Sequence, residues 1–475
     1  MAYPTVVINA AGTDTAASGA GPATALSGSA AATATSTTVT ITDAGVDLSA
    51  VLKDGSAALW VATASGRRWS AIINITGSVG SWTVTIGNAY TVTASGLAWA
   101  IGGKRATCMG SLQLFKDLIG GWTVDIQSGE TLTASIVINT VAVAGLPTII
   151  KSSTYSGVWG TQPVLQTATV GVCGLNCDGD NTIVQGLSFK CTVAAGSVTE
   201  ANSGIVAFTR HSLNVTINQC IFDGWKYGIN NNNGTYFGIT RLNVSDCEIK
   251  NSVSNGMDGQ YDNSTVSGSY IHDNSGVGQT INSGAGGVAF LANNVYARNK
   301  LGGISGGLHV SACNCSFDTN GASTTTAGQG GGIQGGSTTT SLLLRNCIFW
   351  NNQANNGTVT SQGVYSSVLD SMIMIDCAFG GPGQTWKVNG SSGAGAELIQ
   401  NYATIGTITL TGNPFKSSGD YGLNTAPGAG AACAGKGAIT VAASATTGRP
   451  DLGAMQTAGG TVSTRIRYRI GDRSH

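Results

Sequence analysis

Asp223, Lys250, His272, Ala297, Asp318 and Trp350 follow one another at steps of 27, 22, 25, 21 and 32 residues. Trp225, Asp258, Asp262, Asp273 and Arg298 stand close to them in the chain. Apart from Ala297, these are acids, bases and flat apolar rings, the groups used to hold or cleave a sugar polymer. Glycosidic hydrolysis needs two carboxylates a set distance apart. Elimination needs a base beside the α proton and cations for the anion that forms. Asp223, His272 and Asp273 are the candidates for proton transfer; Trp225, Lys250, Arg298 and Trp350 are the candidates for holding a glycan. An ordinary solvated face carries the same mixture, so both readings stand at this point.

A recurring pattern places these residues. It reads Leu187-Ser188-Phe189, Cys220-Ile221-Phe222, Cys247-Glu248-Ile249, Ser269-Tyr270-Ile271, Asn294-Val295-Tyr296, Cys315-Ser316-Phe317, Cys347-Ile348-Phe349 and Cys377-Ala378-Phe379. Its anchors are 21 to 33 residues apart, the spacing of a solenoid of short strands joined by variable loops. In a strand, residues i and i+2 share a face. The small first residue and the large third one therefore point inward, and the residue after the large one points out. Rungs stacked about 4.8 Å apart lay like upon like. Cys220, Cys247, Cys315, Cys347 and Cys377 then form one inward column of small fillers. Five residues after each anchor comes Asn274, Asn299, Asn320 or Asn352. Asn tolerates the left-handed backbone region and stacks along an axis, which predicts a turn closing each coil. The run Asn230 to Asn233 before Gly234 predicts another turn.

Composition agrees. The chain has 475 residues and 70 glycines, roughly twice the usual share. Charged residues are 10%, with 23 basic against 23 acidic, which excludes a coiled coil, a helical bundle and a basic nucleic-acid binder. With 41% hydrophobic residues it is not a disordered chain. Thr131 to Ile150 has no charge over a membrane-spanning length, but its scattered Thr, Asn, Gly and Pro predict successive strands. Met1-Ala2-Tyr3-Pro4 carries no signal-peptide pattern, so the 11 cysteines are expected to be reduced. Cys173-x3-Cys177 and Cys313-x-Cys315 lack second ligand pairs at zinc-finger spacing. Cys177-Asp178-Gly179-Asp180-Asn181 is expected to be a turn, and Gly328 to Gly336 a tight coil, rather than calcium sites. No metal and no cofactor is expected.

The repeat resembles the right-handed parallel β-helix family, whose members include pectate lyase-like proteins and phage tailspikes; the resemblance covers roughly residues 109 to 456. Ser111 to Ile119 is similar to the helix that plugs the first coil in that family, with Trp122 to Gln127 as the first rung. Asn413-Pro414-Phe415, Asp420 to Asn424 and Arg449 to Ala454 are similar to its closing segment. The resemblance implies an all-β fold: a right-handed single-stranded parallel β-helix after a small N-terminal β module. The polygalacturonase Asn-Thr-Asp, Asp-Asp and Gly-His-Gly segments are absent, as are the Asp-His and Arg-x-Pro-x-x-Arg segments of pectate lyases.

Residues 1 to 108 are expected to form the module, 109 to 456 the β-helix and 457 to 475 a basic tail. Alternating runs at Thr37 to Thr42, Ala58 to Ala62 and Trp82 to Ile86 follow a leader expected to be flexible, and the module would be an attachment domain or a cap. In the tail, Arg465, Arg467 and Arg469 alternate with Ile466, Tyr468 and Ile470 and are candidates for contacting a partner. The expectation is a bacteriophage virion protein made in the host cytoplasm: a fibre, tailspike or head-decorating appendage. Its partners would be other virion proteins and host-surface polysaccharide, with no nucleic acid and no membrane span. Family members of this kind imply a homotrimer. A polysaccharide lyase or hydrolase and a bacterial surface adhesin are the alternatives.

Overall fold

Each coil of the solenoid turns twice on a residue that few L-amino acids tolerate. Before the column of small residues stand Gln219, Asp246, Asn293, Asn314, Asn346 and Asp376; after the three-residue strand stand Asn251, Asp273, Arg298, Thr319 and Asn351. All have φ between 49° and 59°. The left-handed region reverses the chain within one residue, so a strand as short as Tyr270–His272 is set off sharply on both sides.

The computed structural model describes residues 5–434 except 9–25, 36, 52, 54–57, 64–65, 87–92, 103–104, 109–122, 128–130, 134–135, 139–146, 178, 208–211, 232–238, 260–262, 282–287, 307–308, 323–330, 336–340, 354–362, 367–370, 382–385, 389–390, 394–401, 406–407, 418–419 and 425–428. The helix expected at Ser111 to Ile119, the segment Arg449 to Ala454, and Asp178, Asp262, Arg465, Arg467 and Arg469 lie outside the described residues. The chain divides into two compact units, Met1–Asn243 and Val244–His475.

In the first unit, coils rise through three parallel sheets. The first sheet runs Arg105–Cys108, Thr5–Ile8, Thr123–Ile126, Thr148–Lys151, Thr182–Gln185 and Ser212–Asn218. The second holds Thr131–Thr133, Val164–Thr167, Ser188–Cys191 and Ile221–Asp223; the third holds Ile136–Ile138, Leu175–Cys177, Ser203–Val206 and Tyr227–Asn231. The uncharged stretch from Thr131 thus divides into strands as its composition predicts, and no helix among the described residues is long and apolar enough to cross a membrane. Between Thr5–Ile8 and Arg105–Cys108 the chain leaves the coils to build a closed antiparallel barrel from Leu26–Thr35, Thr38–Ile41, Ala58–Thr63, Gly66–Ser78, Ser81–Ile86 and Ala94–Gly102. Its core packs Val39, Ile41, Leu59, Val61, Ile72, Val84, Trp99 and Ile101 together. The leader is therefore corrected: Thr5–Ile8 is a strand, paired in parallel with Arg105–Cys108 on one side and Thr123–Ile126 on the other.

The second unit repeats the design. Its first sheet stacks Thr265–Ser267, Ala289–Ala292, His309–Cys313, Ser341–Arg345, Ser371–Ile375 and Tyr402–Ile405. The second stacks Glu248–Lys250, Tyr270–His272, Val295–Ala297, Ser316–Asp318, Ile348–Trp350, Ala378–Gly380 and Ile408–Leu410. The third runs from Met257–Gly259 to Trp386–Val388, and Ser391–Gly393 pairs antiparallel at its end. The fold is a right-handed parallel β-helix.

The register of the repeat agrees with the sequence pattern. Ile271, Tyr296, Phe317, Phe349 and Phe379 are Cα partners from rung to rung. Neighbouring rings from Tyr296 to Phe379 stack at 4.8 to 5.1 Å with planes within 7°. The small column is buried, as expected, but it does more than fill space. The thiols of Cys247, Cys315, Cys347 and Cys377 donate to the carbonyl two residues back, at 3.2 to 3.6 Å. Ser269 Oγ donates to its equivalent carbonyl at 3.0 Å. The left-handed residue between donor and acceptor brings the two together, which is why Cys and Ser exchange in this column. No disulfide joins the described cysteines.

The Asn column needs a correction. Asn274, Asn299, Asn320 and Asn352 are buried, and the left-handed residue of the turn is the one before each. Asn274 Nδ2 donates to Asn299 Oδ1 at 2.8 Å; the same bond links Asn299 to Asn320 and Asn320 to Asn352 at 2.9 Å. Each amide also caps a main-chain carbonyl, as Asn320 does at Tyr296. Asn230 and Asn231 likewise belong to a strand, Tyr227–Asn231, rather than to a turn. Asn231 exchanges hydrogen bonds with the main chain of Ile239, and Asn232, Asn233 and Gly234 lie outside the described residues.

Candidate functional site

The outward column of the second sheet exists in the register the sequence implied. Lys250, His272, Ala297, Asp318 and Trp350 are successive partners in the second unit, and Asp223 pairs with Lys190 in the first. Its exposure differs from the expectation. Ala297, Asp318 and Leu410 are buried because the segment holding residues 413–417, 420–424 and 429–434 returns across this face. Phe415, Tyr421, Leu423 and Cys433 pack onto Val295, Ala297, Ile348, Ala378 and Leu410, with Trp350 and Tyr270 at the margin. The segment is held in shape by a bridge between Phe415 and Leu423 and by Asn424 N–H donating to the Pro414 carbonyl at 2.7 Å.

Beside the covered stretch lies a polar cluster. Arg298, turned outward by its left-handed corner, grips Asp273 with two bonds: Nε to Oδ1 at 2.8 Å and Nη2 to Oδ2 at 2.6 Å. Arg298 Nη2 also donates to Tyr270 Oη at 2.9 Å, and Nη1 to Tyr421 Oη at 3.0 Å. The Tyr421 hydroxyl in turn donates to Asp318 Oδ2 at 3.2 Å. His272 stands between two carboxylates, Nδ1 2.6 Å from Asp273 Oδ2 and Nε2 3.2 Å from Glu248 Oε1. Lys250 Nζ closes on Glu248 Oε1 at 3.1 Å. The Tyr270 ring lies over the His272 ring, centroids 3.7 Å apart.

Electrostatics sort these groups by role. Burial pushes Glu248 upward, but hydrogen bonds from His272 and Lys250 outweigh it and hold the carboxyl below its ordinary value. Asp273 is likewise raised by burial and lowered further by Arg298 and His272, and ends low. The guanidinium of Arg298 is held in its charged form chiefly by Asp273. Asp318 goes the other way: burial raises it, and the Thr319 and Tyr421 hydroxyls offset only part of that. Both ring nitrogens of His272 are engaged and the residue is 7% exposed, an arrangement that fixes the orientation of the imidazole. Asp273 and Arg298, at 38% and 30% side-chain exposure, present charge and hydrogen-bonding capacity to solvent in a fixed geometry.

Of the candidates named from sequence, His272, Asp273, Lys250 and Arg298 come together here. Asp223 lies in the first unit. Trp350 packs against the returning segment. Trp225 is corrected: it is 0% exposed, inside the coil, where its indole N–H donates to the Phe189 carbonyl at 2.9 Å. It occupies the ladder position of the Asn column, five residues after Cys220, and that offset was visible in the sequence. Asp258 is also buried and accepts from Asn255 at 2.9 Å. Three members of the cluster went unselected. Glu248 and Tyr270 are the middle residues of their anchors, so they point outward two positions before the column that was followed. Tyr421 arrives from far along the chain. No group of metal-ligating residues occurs among the described residues. Of the segment Cys177 to Asn181, Cys177 ends a strand and Asp180 Oδ1 accepts from Leu213 N–H at 2.9 Å.

The chain matches no protein-family model, and no curated protein matches it in sequence. Solved structures similar to it include pectate lyase Pel9A, at 12% identity over 74% of this chain and 92% of that one, with a TM-score of 0.41. The Agl-KA catalytic domain matches at 11% identity over 81% and 92%, with a TM-score of 0.40. The Gp54 tailspike of Acinetobacter baumannii bacteriophage AP22, in complex with A. baumannii capsular saccharide, matches at 12% identity over 81% and 62%, with a TM-score of 0.24.

Proposed function

We propose that this protein is a bacteriophage virion appendage whose coils present the outer face of the second sheet to host-surface glycans. Supporting the reading is one observation above the rest: the cluster of Glu248, Lys250, Tyr270, His272, Asp273 and Arg298 is hydrogen-bonded into a single geometry before any ligand arrives. Sugar recognition rewards such preorganisation, because flexible hydroxyls then meet fixed partners. The barrel of Leu26 to Gly102 is the docking module in this reading, and the assembly a homotrimer. Mass spectrometry of purified virions must find the chain. Titration with capsular oligosaccharide should give binding that Arg298→Ala weakens by roughly 10- to 100-fold. Binding that survives this change unaltered removes the cluster from the reading.

A polysaccharide depolymerase is the second reading, favoured by His272 standing between two carboxylates. Incubation with capsular polysaccharide decides it. New reducing ends indicate a hydrolase and unsaturated products a lyase; neither product, with binding retained, leaves the binding role alone.

A further inference from the structure

We infer that the residues returning across this face, 413–417, 420–424 and 429–434, form one wall of the glycan site, and that Tyr421 is the positioning residue that sets the plane of Arg298. The inference rests on the glycan reading above and deepens it, since it makes the site a composite of the sheet and a segment from far along the chain.

The geometry begins with the guanidinium. Nε and Nη2 of Arg298 are committed to Asp273, and Nη2 also to Tyr270. Rotation about the bond to Asp273 is checked on the opposite side by Nη1, whose bond goes to Tyr421. The planar fork of an arginine is useful only when its plane is fixed. Tyr421 is itself immobile: it is 2% exposed, packs edge-on against Phe415 at 5.1 Å and meets Tyr270 at 5.6 Å. Its hydroxyl accepts from Arg298 and donates to Asp318, so one oxygen ties the half-exposed guanidinium to a buried carboxylate. The apolar residues of the segment hold it down, and the tyrosine hydroxyl converts that seating into an orientation.

Tyr421→Phe tests this, because it removes the hydroxyl and keeps the ring. The seating of the segment is read from its own Cys433, which is buried against the sheet; in the variant this thiol should stay unreactive towards a maleimide when labelled peptides are mapped. Two probes are used, oligogalacturonate as an acidic chain and maltohexaose as a neutral one. With the segment seated, the variant should bind the preferred probe about tenfold more weakly. The Asp318 carboxyl, followed by carbon-13 NMR in the free protein, should titrate at higher pH because it has lost a donor. A variant that binds like the parent, or an unmoved Asp318 titration, overturns the inference. If the parent protein binds neither probe, the glycan reading fails on its own, and the Arg298 guanidinium signals, followed by nitrogen-15 NMR in the parent and in Tyr421→Phe, decide whether Tyr421 positions Arg298: unmoved signals overturn it.

Discussion

The barrel and the coils solve one problem in opposite ways. A sheet must leave no unpaired edge and no empty centre. The barrel closes on itself and fills its centre with side-chain volume: Val39, Ile41, Leu59, Val61, Ile72, Val84 and Trp99 interlock. The coils of the second unit never close; they satisfy each rung by the next and carry polar groups through their interior in the Asn ladder. Stability in the barrel is therefore a matter of shape, and in the coils a matter of hydrogen-bond continuity. One consequence is local. A defect in the barrel is shared by every strand around it, whereas a defect in a ladder falls mainly on the rungs either side.

The largest effect should come from Trp99→Ala, which empties the barrel centre and should cost about 3–5 kcal/mol. Denaturation should show an early transition confined to barrel amides. Trp99→Phe should be far milder, since the indole N–H has no hydrogen-bond partner among the described residues. Equal loss of protection in the coils would break the contrast. Asn320→Ala comes next, at about 2–4 kcal/mol, because it strips an acceptor from Asn299 and a donor from the Tyr296 carbonyl. Hydrogen exchange should rise in the rungs carrying Asn299 and Asn352 and little elsewhere; uniform exchange would mean that the ladder is no local device.

Protons offer a third test. Burial lifts Asp246 to about 6 from an ordinary 3.8, so the folded state is disadvantaged as pH rises through that window. Asp246→Asn should stabilise the protein at pH 7.5 by roughly 1–2 kcal/mol after allowance for partial exposure, and by nothing below pH 3.8. Glu248 and Asp273 carry the opposite sign. Their lowered values stabilise the fold above the ordinary carboxylate range, and that contribution is lost as pH falls through them. Thermal unfolding of the parent and the Asp246 variant against pH separates the two. Smallest of all is Cys347→Ser, expected to stay within about 1 kcal/mol because Ser269 already makes the same bond in the column. A larger loss would show that sulfur volume matters there.

Periodic features were legible because stacking copies them from rung to rung. Phe317 above Tyr296 and His272 beside Lys250 follow from spacing alone. The left-handed corners are only partly legible: eight of the eleven are Asn or Asp, but the Asn ladder beside them offers the same residue type, and Gln219, Arg298 and Thr319 carry no such signal. Trp225 was misread because its size drew it to the surface reading, although its offset assigned it to the ladder. Least legible was Tyr421. Nothing local to Asp318 or Arg298 signals that a residue more than a hundred positions later will cover one and clasp the other.

The two strands that flank the barrel have a mechanical meaning. Thr5–Ile8 and Arg105–Cys108 lie side by side in parallel, so the chain enters and leaves the barrel along neighbouring tracks. Because the two run parallel, the barrel follows the last residue of one and precedes the first residue of the other, so tension on it is divided between two strands at opposite ends. Both strands are held by ladder bonds along their length, so the barrel stays joined to the coils through one strand when the pairing of the other is lost.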